Sequence, residues 1–180
     1  SLSENGKHLA IGVKLNDGNG VDSGHVRVYQ WVNTNWQQLG VDIDGEAADD
    51  WSGDSVSLSS DGSRLAISAP WNDGNGDRAG HVRVFQWSGT SWQQIGIDID
   101  GEAARDRSGG LSLSADGNRL AIGAPGNDGN GDNSGQVRVY DLSMFNTFTI
   151  NAGLNDAWYF PGSSGQGFFL TVLPDQRRVF

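Results

Sequence analysis

The sequence reads Gly-His-Val-Arg-Val-Phe-Gln-Trp at residues 80–87. Seven of these eight residues recur at 24–31, where Tyr replaces Phe, and a third copy at 135–140 reads Gly-Gln-Val-Arg-Val-Tyr. The copies begin 56 and 55 residues apart. A Leu-Ala-Ile triplet, first present at 9–11, recurs with the same two offsets. A fixed spacing of this kind indicates a structural unit that is repeated along the chain.

Each unit contains four short segments with the patterns of β-strands. In the second unit these are predicted at about 55–59, 64–69, 81–87 and 92–98. Asp61-Gly62 is a hairpin-turn signal, because glycine adopts positive φ without steric cost. No segment has a helical period. Four antiparallel strands in about 55 residues are typical of one β-propeller blade. A β-trefoil is the alternative, but the long unit and its evenly sized strands favour blades.

The predicted fold class is all-β, with blades of an incomplete β-propeller over residues 1–142 and a short β module at 143–180. The predicted units are 1–53, 54–109 and 110–142. A closed propeller needs roughly four to eight blades. The sequence therefore predicts a fragment of a longer protein, an open arc capped by its tail, or an association of copies, and the fragment is the favoured reading.

Composition narrows the class of partner. The 180 residues carry 12 Lys plus Arg and 22 Asp plus Glu, which gives a formal net charge of -10. This surplus of acid argues against binding to nucleic acid or to an anionic membrane surface. No apolar run reaches the roughly 18 residues of a membrane span. Cysteine is absent, which excludes disulfides, zinc–thiolate sites and a cysteine nucleophile.

The repeat resembles the FG-GAP repeat of integrin-α-like β-propellers. The residues that carry the resemblance are Ser52-Gly53, Val56, Leu65–Pro70, Gly80-x-Val82-x-Val84 and, in the third copy, Ile122–Pro125 and Gly135-x-Val137-x-Val139. The resemblance implies a secreted or cell-surface propeller, of a bacterial secreted type, that recognises proteins or glycans in adhesion. A calcium loop often lies between the first two strands in that family. Here that place holds only tight turns such as Ser59–Gly62, so the usual calcium site is not carried over.

The last part of the chain interrupts the repeat. The segments 155–161 and 165–169 resemble a small β module at the ends of bacterial secreted proteins. No function is implied for this module.

The loop between the second and third strands is a candidate calcium site. Oxygen-bearing side chains at alternate positions, separated by glycines, can converge on a hard cation. The candidate ligands are Asp73, Asn75, Asp77, Asp128, Asn130 and Asp132. A solvated turn that uses Asn, Asp and Gly for positive φ is the alternative interpretation. An EF-hand is excluded, since the bidentate Glu is missing.

Tryptophans fall into two groups. Trp31 with Trp36, and Trp87 with Trp92, flank four-residue hairpins and are predicted to pair across the strands for stability. Trp51 and Trp71 have no Trp counterpart in the third copy, which makes them the predicted ligand-binding aromatics.

Acid and histidine pairs repeat with the units. A symmetric hairpin places His25 opposite Asp42 and His81 opposite Asp98, which we interpret as polar pairs. Asp42 with Asp44, and Asp98 with Asp100, could act on a glycoside in principle. Because the first two copies both carry these pairs and no nucleophile stands beside them, the sequence indicates scaffold and no catalytic site.

The sequence predicts a non-catalytic, extracellular recognition or adhesion module that binds a protein or glycan through propeller loops, with Ca²⁺ as the one candidate cofactor. The predicted partners also include further blades of a longer chain or a second copy, but not nucleic acid. An exported hydrolase or lyase with catalytic residues in missing blades is one alternative. A structural spacer is the other.

Overall fold

The computed structural model describes residues 1–143, all of which lie in one compact unit, Ser1–Asn146. These residues form β-strands joined by turns, with no α-helix among them. The strands are β1 (His8–Val13), β2 (His25–Val32), β3 (Asn35–Gln38), β4 (Ile43–Asp44), β5 (Val56–Leu58), β6 (Arg64–Ala69), β7 (His81–Trp87), β8 (Trp92–Gln94), β9 (Ile99–Asp100), β10 (Gly110–Leu113), β11 (Arg119–Ala124) and β12 (Gln136–Asp141). From Met144 onward, the predicted C-terminal module lies outside the described residues.

Three antiparallel sheets follow one another along the chain. The first has the order β1-β2-β3, with β4 also pairing with β2. The second has the order β5-β6-β7-β8, with β9 pairing with β7, and the third has the order β10-β11-β12. Each strand ladder stays inside its own sheet, and consecutive strands of a sheet pair with each other, except that β4 pairs with β2 and β9 pairs with β7. This up-and-down arrangement confirms the predicted propeller blades, and the three sheets, here called blades 1 to 3, form an incomplete propeller.

Strand boundaries in blade 2 test the sequence prediction most closely. The second and third strands have the predicted bounds. The fourth is predicted as one strand over 92–98, but β8 covers only Trp92–Gln94, and β9 (Ile99–Asp100) begins after the predicted end. Ile95 still donates its N–H to the Val84 carbonyl (2.8 Å), and then Gly96 takes φ +74°. This left-handed backbone cannot continue a strand, so the chain bulges out before β9.

The bulge corrects the predicted partners of the two histidines. His81 lies opposite Asp100, and His25 lies opposite Asp44. The predicted partners, Asp98 and Asp42, are two residues away in each case. A symmetric hairpin was assumed, whereas the bulge adds two residues to the fourth strand and shifts the register beyond it.

The hydrophobic core lies between blades. Alternate residues of a strand point to opposite faces of its sheet. Leu65 and Ile67 therefore pack toward blade 1, and Val82 and Val84 pack toward blade 3. All four are at most 2 % exposed. Burial of each such side chain stabilises the fold by about 1.5–3 kcal/mol, so each blade is stabilised by its neighbours on both faces.

The predicted tryptophan pairs form across the hairpins. Trp31 lies opposite Trp36, with ring centroids 5.3 Å apart, and Trp87 lies opposite Trp92, at 5.5 Å. Trp92 also donates its indole N–H to the Leu39 carbonyl of blade 1 (2.9 Å). The second pair therefore contributes to the contact between blades 1 and 2. No helix in the described part of the chain is long and apolar enough to cross a lipid bilayer.

Candidate ligand-binding groove

The two copy-specific tryptophans stack on each other. Trp51 lies in the connection from β4 to β5, and Trp71 lies in the loop that follows β6. Their ring centroids are 4.2 Å apart and their planes differ by 22°. Both connections emerge at the same end of the blades, because β5 begins where the antiparallel β6 ends. The sequence singled out both residues but did not predict this contact.

A buried carboxylate holds the two tryptophans together. Asp50, which precedes Trp51, is 3 % exposed and accepts hydrogen bonds from the Ala47 N–H (3.0 Å) and from the side-chain amide of Asn72 (3.1 Å). Asn72 is the residue after Trp71. The Trp71 N–H also donates to the Asp50 carbonyl (3.3 Å). Since each partner is adjacent in sequence to one tryptophan, this contact brings the two rings together.

The same contact recurs between blades 2 and 3. Asp106 is 2 % exposed and accepts from the Ala103 N–H (3.2 Å) and the Asn127 amide (3.0 Å). We call these two contacts, Asp50–Asn72 and Asp106–Asn127, the Asp–Asn latches. Sequence reasoning missed them, although both residue types recur at the offsets of the repeat and could have been found there.

Cationic side chains cover the stacked rings. The Lys14 ammonium lies 5.0 Å from the Trp51 ring, and the Arg78 guanidinium lies 4.2 Å from the Trp71 ring. Because each ring uses one face for the other ring, the cations occupy the outer faces. Lys14 also pairs with Asp54 at 2.6 Å, and its side chain is 43 % exposed. Contacts of this kind contribute about 0.5–1 kcal/mol at exposed sites, so a ligand can displace them.

A groove of about 820 Å³ opens beside the tryptophans. Its lining includes Lys14, Trp51, Asp54 and Trp71, together with Pro125 and Val137 of blade 3. Arg107, which is exposed, adds another cation to the lining. The groove thus combines aromatic and apolar surface with positive charge, in a chain whose net charge is -10.

The predicted calcium ligands of blade 2 are engaged in other contacts. Asp73 accepts the Arg78 N–H (2.7 Å), and Asn75 donates its amide to the Gly101 carbonyl (2.7 Å). Asp77 pairs with Arg105 at 3.2 Å. An arginine partner opposes the binding of a cation at the same carboxylate.

The third copy of this loop has a different environment. Asp128 accepts the N–H of Asn133 (2.7 Å), and Asp132 accepts its side-chain amide (3.0 Å). Asn133 stands where the second copy has Arg78, so this loop has one cation fewer. Asn130, the middle candidate, is exposed. Of the two candidate loops, the one in the third copy offers Ca²⁺ the more favourable environment. Calcium binding remains a prediction.

One histidine cluster joins blades 1 and 2. It consists of Glu46, His81 and Asp98. In the described part of the chain, these are the acidic and histidine side chains whose ligand atoms are near enough to share a metal ion, since all lie within 4.8 Å of one another. His81 Nδ1 lies 3.8 Å from Glu46 Oε2, but Arg83 Nη1 lies 3.4 Å from the other oxygen of the same carboxylate. Burial lowers the pKa of His81, and the Arg83 charge lowers it further. The guanidinium supplies the positive charge that a metal would supply, so we interpret the cluster as a polar contact.

Asp42, one of the repeated aspartates, does not have the environment of a catalytic acid. Arg27 binds Asp42 with two nitrogens at 3.0 and 2.8 Å, and this contact lowers the pKa of Asp42. Asp42 also remains 3.6 Å from His25 Nδ1 despite the shifted register. A carboxyl with a lowered pKa is a poor proton donor at neutral pH. These residues support the structure of blade 1.

Comparison with known proteins identifies the repeat. Residues 41–85 match the family model of the FG-GAP repeat. The matched segment begins just before β4 and ends within β7, and it contains both Trp51 and Trp71. The chain therefore carries an FG-GAP repeat, as the sequence resemblance indicated.

Two further comparisons complete these findings. A chain of hydrazine synthase from Kuenenia stuttgartiensis is similar in structure, with a TM-score of 0.49 and 17% sequence identity. The alignment covers 78% of this chain and 38% of that chain, so the present chain matches well under half of its length. No curated protein matches the sequence.

Proposed function

We propose that this chain is a non-catalytic recognition module that works outside the cell and binds an acidic glycan in the groove beside Trp51 and Trp71. The observation that carries the proposal is the stacked tryptophan pair, which the third repeat lacks. Binding residues are concentrated on loops held by a rigid scaffold, and the Asp50–Asn72 latch provides that rigidity here. The FG-GAP repeat supports an extracellular location and recognition of a glycan or protein.

The chemistry of the groove favours a sugar with acidic groups. Apolar faces of a sugar ring can pack on indole. A sugar ring that replaces Lys14 over Trp51 would bring a carboxylate or sulfate of the ligand close to the ammonium, where it would share this cation with Asp54. Arg107 adds positive charge to the lining of the groove. A protein with an acidic, aromatic-binding loop is the alternative ligand.

The test compares acidic and neutral polysaccharides by titration calorimetry with the full chain. Trp71→Ala is expected to weaken binding of the acidic polysaccharide at least tenfold, because it removes the ring that supports Trp51. Trp36→Ala is the matched control, since Trp36 is 40 % exposed but lies in a hairpin outside the groove. Salt is expected to weaken binding, because exposed charges are screened. Failure of every polysaccharide to bind, or equal loss in both variants, would overturn the proposal.

A further inference from the structure

Arg107 has a strained backbone that no contact of its own side chain explains. Its φ is 52°, in the left-handed region that favours glycine. The two other described arginines with positive φ each have a partner, since the Arg78 guanidinium lies 4.2 Å from the Trp71 ring and Arg105 lies 3.2 Å from Asp77. Within residues 1–143, the Arg107 side chain has no hydrogen bond, ion pair or ring contact. Strained residues are concentrated at functional sites, which makes Arg107 a candidate binding residue.

The backbone holds Arg107 firmly at the groove. Its neighbours Asp106 and Ser108 are 2 % and 0 % exposed, and the Asp106 carboxylate belongs to the second Asp–Asn latch. The Arg107 N–H donates to the Arg78 carbonyl (3.1 Å), and the Ser108 N–H donates to the Ala79 carbonyl (2.9 Å). Between these fixed residues the Arg107 side chain is exposed and lines the groove. A backbone that is already ordered loses little further entropy when a ligand binds to it.

The junction between blades 2 and 3 differs from the junction between blades 1 and 2. Arg107 stands where the first junction has Trp51, and Gly126 stands where it has Trp71. A Cβ on Gly126 would lie 2.0 Å from the Arg105 carbonyl oxygen, so this backbone does not admit a ring there. The first junction therefore provides the groove with two stacked rings, and the second provides it with a guanidinium.

Arg107 also carries the charge of the groove that has no partner among the described residues. The charged side chains in the described lining are Lys14, Asp54 and Arg107. Lys14 pairs with Asp54 at 2.6 Å, so these two charges largely cancel. What remains is the Arg107 guanidinium, in a chain whose net charge is -10. An acidic group that enters the groove thus meets one cation that is not already paired with a carboxylate of residues 1–143.

We propose that Arg107 selects the acidic groups of the ligand, through a two-point contact between its guanidinium and a carboxylate or sulfate. A planar guanidinium donates two parallel hydrogen bonds to such a group, whereas a lysine ammonium acts as a point charge. This role of Arg107 rests on the proposed function, because Trp51 and Trp71 supply the surface on which the sugar packs. The tryptophans bind the sugar rings, and Arg107 binds their charged substituents. The chain thus keeps a strained arginine where glycine would be more stable, as is expected of a binding residue.

The experiment titrates the full chain with three polymers of one backbone, namely dextran, carboxymethyl dextran and dextran sulfate. Calorimetry at several salt concentrations gives the affinity for each polymer. Arg107→Gln is expected to weaken binding of at least one acidic polymer by about tenfold, because a hydrogen-bonded contact between charged groups is lost. It should also reduce the dependence of that affinity on salt. The polymer that responds identifies the selected group as carboxylate or sulfate.

Three further variants separate the contact from general effects of charge and folding. Arg107→Lys should bind with an affinity between those of the parent and Arg107→Gln, since it keeps the charge but not the planar fork. Arg119→Gln is the matched control and should bind like the parent, because it removes one charge from an exposed arginine of β11 outside the groove lining. Arg107→Gly should be more stable in urea than the parent and yet bind the acidic polymer more weakly, which loss of folding cannot produce.

The outcomes distinguish this role from the proposed function itself. If Trp71→Ala loses binding while Arg107→Gln binds both acidic polymers like the parent, the groove still binds the glycan and the role of Arg107 is overturned. Equal weakening in Arg107→Gln and Arg119→Gln also overturns it, as does an Arg107→Lys variant that binds as tightly as the parent. If neither acidic polymer binds the parent chain, the proposed function fails together with this role.

Discussion

Trp51 and Arg107 occupy equivalent places in successive repeats, and both have a left-handed backbone, with φ of 59° and 52°. The cause is common to both, because each donates its N–H to a carbonyl of the preceding loop, Asp22 at 3.2 Å and Arg78 at 3.1 Å. Such a conformation costs a non-glycine residue about 1–2 kcal/mol. At Trp51 the strained backbone places the indole in the groove, where it stacks on Trp71. At Arg107 no stacking contact offsets the backbone strain.

Replacement of Arg107 by glycine is expected to stabilise the chain by about 0.5–1 kcal/mol, because glycine adopts positive φ without strain and the gain exceeds its added chain entropy. The free energy of unfolding in urea provides the measurement. Arg119→Gly is the control, since Arg119 is exposed within β11 and has no positive φ, and that variant should be less stable than the parent. A loss of stability in Arg107→Gly would show that the backbone strain is not relieved.

His81 gives the fold a dependence on pH. Burial lowers the pKa of His81 in the folded chain, and Glu46 and Asp98 oppose this effect only in part. In the unfolded chain a histidine titrates near pH 6.5. As pH falls below that value, the unfolded state takes up more protons, so the free energy of unfolding decreases. The stability is fully present above about pH 6.5 and is lost on acidification.

The third repeat suggests the variant that tests this effect. Gln136 stands where blade 2 has His81, and His81→Gln should keep the shape of the site without a titrating group. We expect the free energy of unfolding to vary less between pH 7.5 and 5.5 in this variant than in the parent. Some dependence will remain, because burial also lowers the pKa of His8. Identical pH profiles for parent and variant would assign the dependence to other groups.

The Asp–Asn latches join each blade to the next one in the array. Each latch holds the connection after one blade against the loop of the next, and its carboxylate is almost fully buried. Hydrogen bonds to a charged group contribute about 1.5–3 kcal/mol. Loss of the carboxylate also leaves buried donors without a partner. Its removal therefore lowers the free energy of unfolding by more than the hydrogen bonds alone contribute.

Asp106→Ala is expected to lower the free energy of unfolding by about 2–4 kcal/mol, because the Asn127 amide and the Ala103 N–H lose their acceptor. Thermal and urea unfolding provide the measurement. Asp42→Ala is the matched control: its carboxylate forms a partly exposed ion pair with Arg27, and such pairs contribute at most about 1 kcal/mol. Equal effects of the two substitutions would mean that the latch does not stabilise the array.

Three blades in one open array leave two faces without a partner inside the described residues. Every internal interface buries valine, leucine and isoleucine, so an uncovered face sacrifices the main source of stability for a sheet of this kind.

The positions of most strands were evident in the amino-acid sequence. Residues 64–69 and 81–87 have the predicted bounds because alternation with period two and an Asp-Gly turn are local signals. The cross-strand tryptophan pairs follow from the same local geometry. The bulge at Gly96 was not predicted, because a glycine can continue or interrupt a strand and its φ depends on the chain around it.

The sequence by itself determined the repeat, the all-β class and the candidate aromatics of the groove, since each follows from local patterns or from comparing the copies along the chain. Only the tertiary structure decided that Trp51 stacks on Trp71 and that Asp50 joins Asn72. These pairs belong to different repeats and lie about 20 residues apart in the chain. They meet because burial of apolar faces packs one blade on the next, and that packing depends on the whole array.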